Sequence, residues 1–244
     1  MTDAAAEVWP EPAGSDSAWR RLLGVFVSPV RTFAAIAEKP TWLPPVAIAA
    51  GLTLPVSELI LSKTDWRATM AARMEKGGRR LSEAQVDAAV EQMRKMTWLF
   101  DIFAVAVPIL VVLAVAGALW AACQAFGWEV RFRQSLGVTS HAFLPGVLAS
   151  VGLLAALWDR ATIDPAKVGD VLHTNVGFLA DAHEESVVHG LLASIDLFSF
   201  WTMALLVIGL SAAAKTSRGR MAALVVTLWA LFVLGKAGVN ALTG

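Results

Sequence analysis

Apolar residues gather along the chain into five long runs separated by polar stretches of unequal length. The runs cover approximately residues 42–61, 98–126, 136–158, 195–214 and 221–242. Each suffices for a helix across a hydrocarbon core of about 30 Å, which takes roughly 20 residues. A soluble helical bundle needs a polar stripe on each helix, and these runs largely lack one. The pattern therefore predicts an all-α, polytopic membrane protein with five transmembrane helices. Trp42, Trp98, Trp128 and Trp158 stand at run ends, where an aromatic belt meets the headgroups.

Ahead of the first run the period changes. Asp16 and Ser17 offer an N-cap for a segment over 18–27, and Ser28 with Pro29 at the first position opens a second helix that Pro40 stops. Residues 18–40 are thus expected to form amphipathic interfacial helices, with Trp19, Arg20, Arg21, Phe26, Arg31 and Phe33 at the membrane surface. Arginines beside aromatic and aliphatic residues hold headgroups while the apolar face is buried. Packing under the bundle is the competing expectation. Residues 1–17, with Pro10, Pro12, Gly14 and four acids, are expected to be a disordered polar tail. No cleavable signal peptide is expected there, since a positive n-region and an apolar core are both missing.

Residues 41–244 then form the membrane domain. Two connections, 62–97 and 159–194, are long and share one side with the C-terminus. Both carry helical signals. Trp66, Met70 and Met74 recur every four residues, Ser82 and Gln85 make a capping box, and Asp181 with Glu184 opens a helix in the second connection. The first is rich in basic residues, among them Lys63, Arg67 and Arg94, and the second in acids, among them Asp159, Asp164 and Asp181. Their opposite charge predicts that they dock as a cap, and separately solvated loops are the alternative.

Charge modifies this picture in one respect. Arg20, Arg21, Arg31, Lys39, Arg131, Arg133, Lys215, Arg218 and Arg220 all belong to the N-terminal side, which the positive-inside rule puts in the cytoplasm. The basic first long loop pulls the other way.

Composition agrees with the membrane reading: 57% of residues are hydrophobic and 16% charged, against about 45–50% and 25% in soluble domains. Net charge is zero, which gives no basic field for nucleic acid. The expected partners are the lipid bilayer and other membrane proteins or further copies of the chain. Cys123, the single cysteine, excludes an intrachain disulfide framework and reads as a small buried hydrophobe.

Ionisable residues inside spans are costly and mark partners or tasks. Glu58, Asp101, Asp196 and Lys236 all fall toward the long-loop side, with Asn240 one turn beyond Lys236. They are expected to form an intramembrane charge cluster in which Lys236 pairs with a carboxylate. It is read either as a clamp between helix ends or as a polar vestibule for an ion. A second polar group comprises Thr139, Ser140 and His141 before Pro145 in the third span, with Gln124 late in the second. A histidine hydrogen-bonded to Gln124 or to a backbone carbonyl is expected there.

Enzyme signatures fail on spacing. His183-Glu184 is followed by His189, six residues after the first histidine, whereas a zinc-protease helix needs four. Neither a Gly-rich phosphate loop nor a nucleophile elbow occurs, so no catalytic residue, metal or cofactor is expected. A site from His173, His183 and His189 is the weak exception.

Three segments carry a resemblance: SPVRTFAAIAEKPTWLPP (28–45), GWEVRFRQSLGVTSHAFLPGVL (127–148) and IDLFSFWTMALLVIGLSAAAK (195–215). In their order of proline, glycine, aromatic and small residues they resemble the Yip domain family over about 18–242. The resemblance implies five transmembrane helices with a cytoplasmic N-terminus. Eukaryotic members interact with Rab GTPases. This short chain looks bacterial, which implies an inner-membrane location with the long loops and C-terminus periplasmic. A non-catalytic scaffold that organises or recruits membrane components is the expected function, and a small ion, proton or solute transporter is the alternative.

Overall fold

The computed structural model describes residues 17–76, 78, 82–172, 174, 192 and 194–243, without the side chains of Arg73, Lys76, Ala166, Asp170 and residues 240–243. The tail expected over 1–17 lies outside the described residues except for Ser17. The helix expected from Asp181 and the three histidines of the weak metal site lie outside them too.

Two short helices precede the spans, α1 (Ala18–Val27) and α2 (Pro29–Glu38). Pro29 stands at the first turn of α2 as expected, because its fixed φ suits that position and its missing N–H costs nothing there. The hydroxyls of Ser17 and Ser28, however, make no capping hydrogen bond. Instead the Ser28 N–H is used, donating to the Gly24 carbonyl at 2.9 Å. Gly24 lets α1 and α2 touch, since a Cβ there would lie 2.4 Å from Thr32 Oγ1.

Five apolar helical segments are long enough to cross a membrane. They are α3 (Leu43–Lys63), then α6 (Thr97–Ala125), the tandem pair α7 (Phe132–Ala142) and α8 (Leu144–Trp158), α9 (Leu197–Ala214) and α10 (Arg218–Thr243). The third span starts at Phe132, four residues before the expected 136, because Gln134 Oε1 accepts the Arg131 N–H at 3.0 Å and closes the first turn. It breaks at Phe143 because Pro145 has no N–H to offer the His141 carbonyl four residues back. Many apolar side chains outside the core, such as Ile102, Phe103, Leu110 and Phe232, are exposed along these helices. They form the surface that lipid covers.

Turns on the N-terminal side are short and well specified. At the end of α6, Gly127 adopts φ 71°, its N–H donates to Gln124 O at 3.0 Å, and that of Trp128 donates to Cys123 O at 2.9 Å. Together these form a Schellman motif. After α9 the same left-handed turn is taken by Lys215, at φ 49°, with Thr216 N–H reaching Ser211 O at 3.2 Å.

Of the long connections, the first holds α4 (Trp66–Lys76) and α5 (Glu83–Lys95), packed on each other. The Ser82–Gln85 capping box is formed, and an Arg67–Asp87 ion pair joins the two helices. The described part of the second contains a 3-10 turn, Pro165–Asp170.

The core sits toward the N-terminal side. α2 packs against α7 and α9, while α3 packs against α6 and α8. Phe33, Ile36, Val138, Leu205, Leu210 and Met221 form the heart of the larger cluster. Gly209 is what lets these helices approach. A Cβ on it would lie 2.5 Å from Val138 Cγ1 and 2.6 Å from Phe33 Cδ1, so the site takes glycine for want of space and not for backbone freedom. Gly209→Ala is therefore expected to cost roughly 1–3 kcal/mol by overpacking. Gly235→Ala, where the added methyl meets nothing within 4 Å, should leave stability unchanged or slightly raised. Thermal unfolding of the two variants in detergent checks the contrast.

Candidate functional site

Three groups of polar side chains matter, and the sequence placed them only in part. The first lies on the long-loop side. The carboxyl groups of Glu58, in the last third of α3, and Asp101, near the start of α6, lie near each other. Asp101 Oδ1 is buried without a partner. Asp196 does something different: it is the N-cap of α9, accepting from Ser199 N at 3.0 Å and Ser199 Oγ at 3.2 Å. That satisfies donors the helix cannot satisfy itself.

The expected pairing of Lys236 with Glu58, Asp101 or Asp196 is not formed. Lys236 is exposed, and the ion pairs among the described residues do not include it. For Glu58 and Asp101 the reason is helix placement, since α10 packs chiefly on α9, away from α3 and α6; Asp196 is engaged instead in capping α9. For Asn240, the neighbour expected beside it, the side chain lies outside the described residues.

A lysine does tie this side together, but it is Lys63. Its Nζ donates to the carbonyls of Leu157, at 3.4 Å, and Trp158. Its own carbonyl accepts the Ile163 N–H at 3.0 Å. An ammonium at the C-terminus of α8 meets both the unsatisfied carbonyls and the negative end of the helix dipole. The sequence pattern puts Lys63 in the first long connection; it is instead the last residue of α3, and its target lies on another span.

The second group is the polar stretch of α7, where Ser135, Thr139, Ser140 and His141 are all buried. His141 Nδ1 lies 2.9 Å from the Gly137 carbonyl, which Ser140 Oγ also engages at 3.0 Å. The carbonyl partner expected for His141 is therefore present. Gln124 instead turns to the loop, donating from Nε2 to Val130 O at 3.1 Å. Two residues without a sequence signal of their own tie α7 to its neighbours. Ser135 Oγ donates to Ala116 O of α6 at 2.7 Å, and Gln134 Nε2 donates to Ala37 O of α2 at 2.8 Å. Thr139 Oγ1 is buried without a hydrogen-bond partner.

The third group surrounds α1 and α2. Trp19, Arg20 and Arg31 are exposed and Phe26 is half-buried, with its ring edge-on to Trp201 at 5.6 Å. The expectation for Phe33 needs correction: its exposure is 0%, because α2 packs against both α7 and α9 with Phe33 against Gly209. Arg21 is likewise turned inward, at 8% exposure. The outward face of α1 is apolar instead, with Trp19, Leu23 and Val27 exposed by 71%, 66% and 81% at a spacing of four residues that lines them up along one side.

This arrangement of surface helices leading into five spans is one with a name. A family model described as the Yip1 domain matches residues 23–238. The chain belongs to the Yip1 domain family. No curated protein and no solved structure matches it. Of the three segments that carried the resemblance, the first forms α2 and the entry to α3, the second α7 with the start of α8, and the third α9. They are the elements that converge on Gly209.

Both helix-end devices have measurable consequences. Asp196→Ala should destabilise the protein by about 1 kcal/mol through loss of the N-cap, and Asp196→Asn should be close to neutral, because asparagine caps equally well. Lys63→Met should also lower the thermal midpoint, whereas Lys236→Met should not. Unfolding of the purified variants at one detergent concentration measures all four.

Proposed function

We propose that this Yip1-family protein is a non-catalytic scaffold that organises or recruits other components of a bacterial inner membrane. Its N-terminus lies in the cytoplasm, and its long loops and C-terminus lie in the periplasm. The observation that carries this reading is the two-sided construction of the N-terminal helices. Their inner side, through Phe33 and Ile36, is part of the core, so their position is fixed by the fold. Their outer side holds the exposed Trp19, Leu23 and Val27, an apolar stripe at the membrane boundary. A rigidly held apolar stripe suits contact with lipid or with another membrane protein. The placement of Asp196 and Lys63 as helix-end caps supports the same reading, since it gives these charges a structural task.

One observation favours a transporter instead. The carboxyl groups of Glu58 and Asp101 lie near each other on neighbouring spans, and ionisable side chains within spans are a feature of ion pathways. In this reading Glu58 and Asp101 are the working groups, with Asp196 and Lys236 outside the site.

Two measurements divide the readings. Liposomes holding the purified protein should show no more proton or cation flux than empty ones. Flux that disappears in folded Asp101→Asn would replace the scaffold with a transporter. In cells, a photo-crosslinking residue at position 23 should capture a membrane component, while one at position 36 should capture only the chain itself. Equal capture at both positions would contradict the two-sided construction.

A further inference from the structure

We infer that the cleft beside α1 binds the phosphate of an anionic phospholipid headgroup, with Arg21 as the fixed cation at its base. The cleft, of about 540 Å³, is lined by Arg21, Lys39, Thr41, Arg131 and Arg133, with Glu38 as its one acid. Four cations against one carboxylate leave three positive charges, drawn from α1, the turn after α2 and the start of the third span.

Arg21 is the residue that makes this a built site. A guanidinium stays charged at any physiological pH, and a buried charge is costly unless an opposite charge or a set of hydrogen bonds compensates it. Arg21 is nine-tenths buried, yet it forms no ion pair among those of the described residues. One of its terminal nitrogens donates to the Lys39 carbonyl at 2.6 Å and to Thr41 Oγ1 at 3.3 Å. Its Nε is buried with no partner. The protein thus fixes the side chain through one nitrogen, with the residue still lining the cleft. Arginine's planar array of donors matches phosphate oxygens.

The floor is rigid as well. The Pro40–Thr41 turn presses on α7 where Gly137 leaves room, since a Cβ there would lie 3.1 Å from Pro40 Cβ. Lys39, Arg131 and Arg133 are exposed at the mouth, so a headgroup reaches Arg21 past surface cations and not through the core.

Location selects the source of the phosphate. Thr41 directly precedes Trp42 and the first span, while Arg131 and Arg133 flank the start of the third, so the cleft lies at headgroup depth. The apolar stripe of α1 lies along the same helix as Arg21 and anchors it at that depth. Acyl chains of a lipid held by its phosphate would run down beside the spans, a geometry that free phosphate does not need.

The test uses the full-length protein in detergent and titrates short-chain phosphatidylglycerol, phosphatidylcholine and inorganic phosphate. Thermal stabilisation and lipid retention in native mass spectrometry are the readouts. Phosphatidylglycerol should raise the midpoint and be retained, whereas phosphatidylcholine and inorganic phosphate should do neither at equal concentration. The double variant Arg131→Gln/Arg133→Gln, at exposed positions, should fold normally. It should bind phosphatidylglycerol roughly 25-fold more weakly, about fivefold per basic residue near a membrane surface. Lys215→Gln/Arg220→Gln removes the same charge from the same side outside the cleft and should bind as wild type does. Equal loss in the two double variants would overturn the site in favour of diffuse attraction. Stabilisation by inorganic phosphate equal to that by the lipid would overturn the lipid as its occupant.

Discussion

The contact at Gly209, where α2, α7 and α9 meet without an intervening side chain, determines how the N-terminal half of the bundle is arranged. Between apolar helices in lipid there is little hydrophobic driving force, so association depends on close packing and on hydrogen bonds across the interface. Val138 and Phe33 supply the first at Gly209, and Gln134 and Ser135 supply the second from α7 toward α2 and α6. With α2 fixed in this way, its C-terminal carbonyl at Lys39 is brought to Arg21. That locks α1 in turn. A chain of contacts thus runs from one glycine in the fourth span to the first residues of the described structure.

The two sides of the membrane are organised on different terms. On the N-terminal side, short turns close with backbone hydrogen bonds, and the surface helices are part of the core. On the long-loop side, the joints are made by individual side chains: Lys63 on the end of α8 and Asp196 at the head of α9. The difference follows from loop length. A turn of a few residues satisfies its own helix ends, whereas at the longer connections a side chain does so, from the helix's own cap residue at Asp196 or from another span at Lys63.

Span number, helical class and the capping box at Ser82 were legible in the sequence because each depends on local pattern: run length, period and spacing. Phe33 and Lys236 were misjudged for a common reason. Both readings assumed a neighbour, lipid for one and a carboxylate for the other, and neighbours are set by which helices pack together. Periodicity shows that α2 has an apolar face but does not say whether bilayer or protein covers it. Likewise, alternating helix direction puts Lys236 at the right height and leaves its lateral position open. Arg21 was expected at the membrane surface, and its burial left no signal; Gly209 left none either, since one glycine in an Ala-rich span is ordinary. The family resemblance was more informative than the charges because its three segments are those that build the central contact.

The break at Phe143 divides the third span into halves that meet different solvents. α7 is enclosed by protein and carries Gln134, Ser135, Thr139, Ser140 and His141, while α8 is almost wholly aliphatic, with Leu148 and Val151 facing outward. A helix interrupted by several polar groups partitions poorly into lipid on its own, whereas α8 enters readily. Membrane insertion and tertiary assembly are therefore not separate events for this segment. The ribosome releases α7 before α9 exists, so the earlier helices α2 and α6, which already supply partners for Gln134 and Ser135, must shelter it until the fourth span arrives.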